Sequence, residues 1–432
     1  MFIKNVSIPS FTDFTIKGGV DVLLTGSRIS KVGYSLKAEG EVIDGSGSYL
    51  IPGLVNTHSH TAMTLLRGAA EDVNTADWFN KYVWIYENNL TPQAVYVGTL
   101  LGAAEMLLSG ITCAADHYFY MDQACRAYLE AGMRADLAWA VFGVGDDAEK
   151  NLKTALDFSE EYRNLNPLIT ISLGPHSPYL CSDDFLKKMV KEADRLNMKM
   201  HIHVSEEEAQ VERSLKERNI TPVQVLDNSG VLRDGTVLAH AYYATDGDLK
   251  LIGEKGAGAA HCAKTYMKHG HIHNFLPRAI EAGLNLGLGT DGAASNNTMN
   301  IFEVARDAAL LAKAVMKDPE VGRIEDVVPL LFSGGKVLGL GDYGEIRPGS
   351  LADLVLIKPV SPSMIPEHNF FANLLYSITD RDVETVIVDG KVIVREGKLL
   401  TVDMEALRRE AVDISRRLTV TVSDRPMQQY RS

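Results

Sequence analysis

Eight short apolar runs punctuate the middle of the chain, at residues 51–57, 112–116, 134–142, 169–174, 199–204, 236–241, 257–261 and 284–290. Stretches with helical periodicity separate most of them, among them 92–109, 183–196, 206–218, 273–283 and 299–316. Each run is short for a helix and suits a buried strand. Eight strands alternating with helices predict an α/β fold, the (β/α)8 TIM barrel, whose reactive groups stand at the C-terminal ends of the strands.

The two ends of the chain differ from this middle. Val20–Leu24, Arg28–Val32 and Glu41–Asp44 are strand-like runs split by Gly and Ser. The same texture returns at Asp353–Ile357 and at Val383–Val388 and Lys391–Val394, which flank the hairpin turn Asp389-Gly390. The expected division is a small β domain built from both termini (1–52 and 346–402), a barrel over 53–345 and a C-terminal helical tail over 403–432. Segment 61–91, rich in aromatics and charge, follows the first barrel run and reads as an elaborate active-site loop.

The first run ends in Thr57-His58-Ser59-His60. Side chains at i and i+2 of a strand point the same way, so His58 and His60 form half of a metal site. His203, His240 and Asp291 end other runs. Three imidazoles and a carboxylate suit Zn²⁺ or Fe²⁺ and are poor for Ca²⁺ or Mg²⁺. Such a cation lowers the pKa of a bound water towards roughly 7. Glu206, just past His203, reads as a proton donor to a ring nitrogen; alternatively, it is a helix N-terminal acid behind the cap Ser205. His201 lies two residues deeper than His203 and reads as a supporting or core group. His240 is either a weak ligand or the group that polarises the attacking water. Asp291 can bind the cation and also accept a proton. The small residues of Gly292–Asn297 make a tight turn that lets backbone approach a ligand.

Bulk properties narrow the partners. The 432 residues carry 43 Lys and Arg against 56 Asp and Glu, a formal charge of −13, which argues against a nucleic-acid backbone. A charged-then-apolar leader and an apolar run near 20 residues are both missing, so neither secretion nor membrane spanning is expected. Cys113, Cys125, Cys181 and Cys262 lack CxxC spacing and read as free thiols of a cytoplasmic protein.

Taken together, these residues resemble the amidohydrolase superfamily. The match lies in Pro52–His60 (PGLVNTHSH), His201–Glu206 (HIHVSE), Leu238–Ala241 (LAHA) and Gly287–Asn297 (GLGTDGAASNN), with Gly344–Val355 and Val386–Val392 fitting a terminal β-sandwich. Within the superfamily the chain is most similar to deaminases of methylthioadenosine, S-adenosylhomocysteine and related adenosines, and to triazine hydrolases. The resemblance implies metal ligands His58, His60, His203 and Asp291. It implies Glu206 as the acid that protonates the purine, and His240 as a group that helps activate water. Glu87 matches a ribose-binding glutamate and His176 a substrate-binding histidine.

The fourth run ends at Gly174-Pro175-His176 without the lysine that bridges two metals in dinuclear relatives, so one divalent metal is expected, zinc before iron. Two stretches depart from the deaminase pattern. An arginine usual on or after the third run is missing, and Trp139 near that place is read as a substrate contact. The loop 261–270, His261-Cys262-Ala263-Lys264-Thr265-Tyr266-Met267-Lys268-His269-Gly270, is bulkier and more basic than usual and is expected to reshape the pocket.

The expected activity is hydrolytic deamination of an adenosine-type nucleoside (methylthioadenosine, S-adenosylhomocysteine, 5'-deoxyadenosine or adenosine). Guanine, oxidised guanine, pterin or cytosine deamination and triazine dechlorination are the nearest alternatives. An inactive assembly subunit would have been expected to lose ligands. The partner expected is a small molecule. Family members are often homodimers or homotetramers, and no stretch of this sequence marks an interface.

Overall fold

In a computed structural model, which describes residues 1–421 together with Gln428, the apolar runs form the expected ring. Its strands are β1 (Leu54–His60), β2 (Ile111–Tyr118), β3 (Arg134–Val141), β4 (Ile169–Pro175), β5 (Lys199–Val204), β6 (Thr236–His240), β7 (Gly258–His261) and β8 (Asn285–Leu288). Neighbours pair in parallel from β1 through to β8. All of β2 and nearly all of β3 and β4 are buried, as strands covered on both faces must be. This explains why they read as continuous apolar runs.

The ring closes through a broken strand. After Leu288 the chain leaves the ladder at Gly289 and Thr290 and resumes as β9, the two residues Asp291–Gly292. Here Asp291 lies beside Ser59 and Gly292 beside His60 of β1. Side chains bridge the gap. Asn56 Oδ1 accepts from the Thr290 amide at 2.9 Å, its Nδ2 donates to Thr290 Oγ1 at 2.7 Å, and Thr57 Oγ1 donates to the Leu288 carbonyl at 2.8 Å. Buried backbone groups that lose a ladder partner are thereby satisfied.

The run 51–57 is two strands, which corrects the sequence reading. Tyr49–Pro52 pairs antiparallel with Leu354–Ile357 in the terminal sheet, and only from Leu54 does the chain enter the barrel. Gly53 stands at the switch, where a Cβ would fall 2.0 Å from Thr112 Oγ1. The terminal sheet draws Phe2–Pro9, Ile16–Thr25, Arg28–Gly33, Val42–Asp44 and Tyr49–Pro52 from one end of the chain. Leu354–Ile357, Val383–Val388, Lys391–Arg395 and Lys398–Leu399 come from the other. Ile3, Val22, Leu24, Leu50, Leu354, Leu356 and Ile387 from both halves share one buried cluster. Asp389 and Gly390 both have positive φ, as the predicted two-residue hairpin requires. Phe2–Pro9 escaped the sequence reading. Polar Lys4 and Asn5 interrupt its apolar residues, and the register shifts there with Asn5 at φ +59°.

Segment 61–91 is a chain of short helical turns from Thr61–Leu66 to Glu87–Asn89. It is backed by the helix Pro92–Leu108, whose N-terminus is capped by Thr91. The C-terminal helix Met404–Leu418 lies against both, with Ser415 Oγ donating to the Leu65 carbonyl at 2.7 Å. Apart from Gln428, the part of the expected helical tail beyond 421 lies outside the described residues. Among the described residues, no helix is long and apolar enough to cross a membrane.

Candidate active site

His58 and His60 end β1, His203 lies in β5, His240 ends β6 and Asp291 opens β9, so the strand ends gather the predicted groups at one mouth of the barrel. His60 Nε2 is 3.2 Å from His203 Nε2 and 3.4 Å from Asp291 Oδ1, and His58 Nε2 is 3.6 Å from that oxygen. The ligand atoms of His58, His60 and His203, and those of His58, His240 and Asp291, each lie within 4.8 Å of one another.

Hydrogen bonds fix which nitrogens face inward. His60 Nδ1 is 2.5 Å from the His117 carbonyl, and His203 Nδ1 is 2.8 Å from the His176 carbonyl. A carbonyl only accepts, so both Nδ1 atoms carry the proton and both Nε2 atoms present lone pairs. Two lone pairs 3.2 Å apart repel unless a positive charge lies between them. His58 Nε2 is buried without a hydrogen-bond partner. Three imidazole lone pairs beside a carboxylate therefore fit a transition-metal cation. Burial, reinforced by the neighbouring imidazoles, holds His58 and His203 far below the usual histidine range, which keeps them neutral as ligands must be.

The backbone at these strand ends is unusual. Ser205, His240 and Asp291 all adopt left-handed φ, at +48°, +74° and +59°. Such conformations cost about 1–3 kcal/mol each and persist where the surroundings enforce them. Here the Ser205 amide donates to Tyr179 Oη at 2.6 Å, the Ala241 amide to the Val204 carbonyl at 2.9 Å, and Ser295 Oγ to Asp291 Oδ2 at 2.8 Å.

Glu206 Oε1 lies 3.7 Å from His240 Nε2. Burial, then the charges of Asp291 and Glu207, push its carboxyl well above the ordinary glutamate value, which favours the protonated form. Burial lowers His240 to about 4. His240 Nδ1 sits 3.3 Å from Tyr266 Oη. His201 touches His58 alone of the proposed ligands, through Nε2 at 2.9 Å from His58 Nδ1.

These groups floor a cavity walled by Trp78, Phe79, Trp84, Tyr118, Phe119 and Phe142. Glu87 is buried in that wall, accepts from Tyr118 Oη at 2.5 Å, and is raised by burial to about 8. His176 lines the cavity with its ring stacked between Phe142 (4.7 Å) and His203 (4.8 Å). An outer cavity of about 970 Å³ shares Phe79, Trp84, His176, His203 and Glu206 with it and extends to Tyr179, Gln210, Arg213 and Gln428.

Two expectations about the pocket are corrected. Trp139 is not in the lining; its ring packs 5.5 Å from Phe158 and 6.4 Å from Tyr120. Alternation along β3 turns it towards the helix layer, and Ala140 and then Phe142 reach the cavity instead. The loop 261–270, expected to reshape the pocket, reaches the lining at one residue. Lys264 donates to Glu303 at 2.5 Å and Lys268 to Glu71 at 2.6 Å, so only His269 of that loop reaches the lining. His117, Tyr118 and Ser295 line the cavity without having been read from the sequence. His117 carried a usable signal, because it follows the apolar run 112–116 much as His60 ends the first run.

The comparisons agree with this geometry. The model of the amidohydrolase family matches residues 49–393. A 5-methylthioadenosine/S-adenosylhomocysteine deaminase of Desulforudis audaxviator is 40% identical over 385 residues, spanning 88% of this chain and 90% of that protein. A 5'-deoxyadenosine deaminase of Methanothermobacter thermautotrophicus is 38% identical over 391 residues, spanning 88% and 91%. Among solved structures, an adenosine deaminase from Xanthomonas campestris with bound zinc superposes with a TM-score of 0.91 at 29% identity, covering 96% of this chain and 98% of that one. Atrazine chlorohydrolase from Arthrobacter aurescens shares the fold at a TM-score of 0.89 and 22% identity, covering 96% and 99%. A family model spanning most of the chain, relatives near two-fifths identity and a histidine–aspartate centre at the barrel mouth converge on one conclusion: the chain belongs to the amidohydrolase family.

Proposed function

We propose that the protein is a hydrolytic deaminase of adenosine-type nucleosides, working with one divalent cation, zinc, held by His58, His60, His203 and Asp291. The observation that carries this reading is the placement of Glu206, a half-buried carboxyl 3.7 Å from His240 and beside the ligand cluster, whose surroundings raise its proton affinity. The substrate class rests on the relatives named above and on the aromatic walls of the cavity. When bound, the cation supplies Lewis acidity that makes water nucleophilic at neutral pH.

The residues of the chain do the rest. The purine slides between aromatic walls with its amine-bearing carbon towards the ligand cluster, and Glu87 accepts hydrogen bonds from the ribose. Glu206 passes its proton to the ring nitrogen next to that carbon as water adds there. His240 orients the water, and Asp291 takes up its proton. That proton then passes to the amine, the C–N bond breaks, ammonia leaves, and the proton of the added hydroxyl returns to Glu206 as the carbonyl forms. One water is consumed and one C–N bond becomes C–O, so the product is the inosine-type nucleoside.

The test is Glu206→Gln. Ammonia release from methylthioadenosine or 5'-deoxyadenosine is expected to fall by about 10²- to 10⁴-fold while zinc content stays near one per chain. Normal turnover in that variant removes Glu206 as the proton donor. A wild-type protein that binds zinc but releases no ammonia from any adenosine overturns the substrate class.

A further inference from the structure

Behind the ligand cluster two buried imidazoles carry polar atoms that nothing satisfies, and the two are complementary. If His58 offers Nε2 to a cation, its proton sits on Nδ1 and donates to His201 Nε2, 2.9 Å away. The single proton of His201 is then on Nδ1, a buried donor without a partner. His117 Nε2 is 3.2 Å from the Gly174 carbonyl and so carries the proton there. This leaves His117 Nδ1 as a buried acceptor without a partner. The two rings are neighbours that meet edge to face, with centroids 5.4 Å apart and planes at 64°. Position 174 must be glycine for this packing, because a Cβ would fall 2.6 Å from the Trp139 carbonyl and 3.0 Å from His117 Nε2.

We infer that His201 and His117 form, with one buried water between their Nδ1 atoms, a one-directional relay that runs from His58 to the Gly174 carbonyl and fixes His58 as a metal ligand. Buried donors and acceptors rarely remain unpaired, and a water held by two polar partners is the ordinary remedy. Every link donates in the same direction, so each bond polarises the next. The net effect is to lock the His58 ring with its lone pair forward and to raise its donor strength, as outer partners of metal-bound histidines do. Both residues are positioning residues. This inference rests on the metal-site reading but not on the choice of substrate.

Two measurements test it. Long-range ¹H–¹⁵N spectra of histidine-labelled, zinc-loaded protein should show His201 protonated on Nδ1 and His117 protonated on Nε2. The opposite tautomer at either ring overturns the relay. Zinc transfer to a chelator should be about 10–100-fold faster in His201→Leu and measurably faster in His117→Leu. In the latter the backbone carbonyl that holds His60 is retained. His201→Gln, which can accept from His58 and donate onward, should stay close to wild type. If His117→Leu releases zinc at the wild-type rate, the second link does not exist. If His201→Leu fails to fold, the spectra of the wild-type protein decide. Failure of the deaminase reading would leave these outcomes unchanged.

Discussion

Glu87 and Glu206 share one cavity and are both raised mainly by burial, yet they differ in what surrounds them. Glu206 also feels two acidic neighbours, whereas Glu87 meets only the hydroxyl of Tyr118. For Glu87 the folded value of about 8 exceeds the ordinary 4.5, so the folded state holds the proton more tightly than the unfolded chain does. The stability this contributes is complete below the unfolded value and is lost as pH climbs through about 8. Glu87→Gln is therefore expected to flatten the fall in melting temperature between about pH 5 and 8, measured without substrate. Parallel curves for the two proteins would remove Glu87 from that role. The same variant should raise KM for an adenosine about tenfold or more, because it weakens hydrogen bonds to the ribose.

At the scale of elements, the broken strand that closes the ring is the most exacting feature. Asn56→Leu keeps the volume but strands the buried Thr290 amide. A loss of about 1–3 kcal/mol is expected in denaturant titration, together with weaker zinc retention, because Asp291 follows directly. The tight seat of the first helical turn on the helix behind it gives a second test. A Cβ at Gly98 would fall 2.5 Å from the Ala62 carbonyl, so Gly98→Ala should cost about 1–3 kcal/mol by pushing Thr61–Leu66 away from β1. Unchanged stability would mean that this backbone yields easily.

Element by element, the legibility of the sequence follows from physics. Strands buried on both faces announce themselves as apolar runs, so all eight barrel strands were readable. The boundary expected between residues 52 and 53 falls at the switch between sheets, but the break inside the run 51–57 was hidden because apolar residues flank Gly53 on both sides. Which face of β3 Trp139 takes depends on register, and one position of alternation separates the helix layer from the cavity. How the loop 261–270 sits at the pocket was not legible, because sequence shows the charge of Lys264 and Lys268 but not Glu303 and Glu71, which pair with them. The metal cluster was legible because its members follow or close apolar runs, and the supporting contact of His201 was legible from its depth. The left-handed backbone at Ser205, His240 and Asp291 was not read, because none is a glycine, although Asp and His adopt that region more often than most residues.

At the scale of the whole molecule, a buried ion pair joins the barrel to the terminal sheet. Arg134, at the start of β3, donates to Asp353 at 2.8 and 3.1 Å and approaches Asp389 at 3.3 Å. Asp353 also accepts from the Asp389 amide and is almost fully buried. Removing one partner of such a pair leaves an uncompensated charge. Arg134→Ala is expected to lose about 3–5 kcal/mol of stability in chemical denaturation. The turnover of the protein that remains folded should be unchanged, because Arg134 stands at the opposite end of β3 from the site. A variant with normal stability but altered KM would reverse this assignment.

The split closing strand also has a consequence for biosynthesis. His58 and Asp291 leave the ribosome 291 − 58 = 233 residues apart, and Asp291 belongs to the short piece that seals the ring. A nascent fragment ending before that aspartate owns the imidazoles without the carboxylate. On the proposed ligand set, ion capture is expected late in maturation, and zinc uptake by ribosome-stalled chains of increasing length should begin only once residue 291 has emerged.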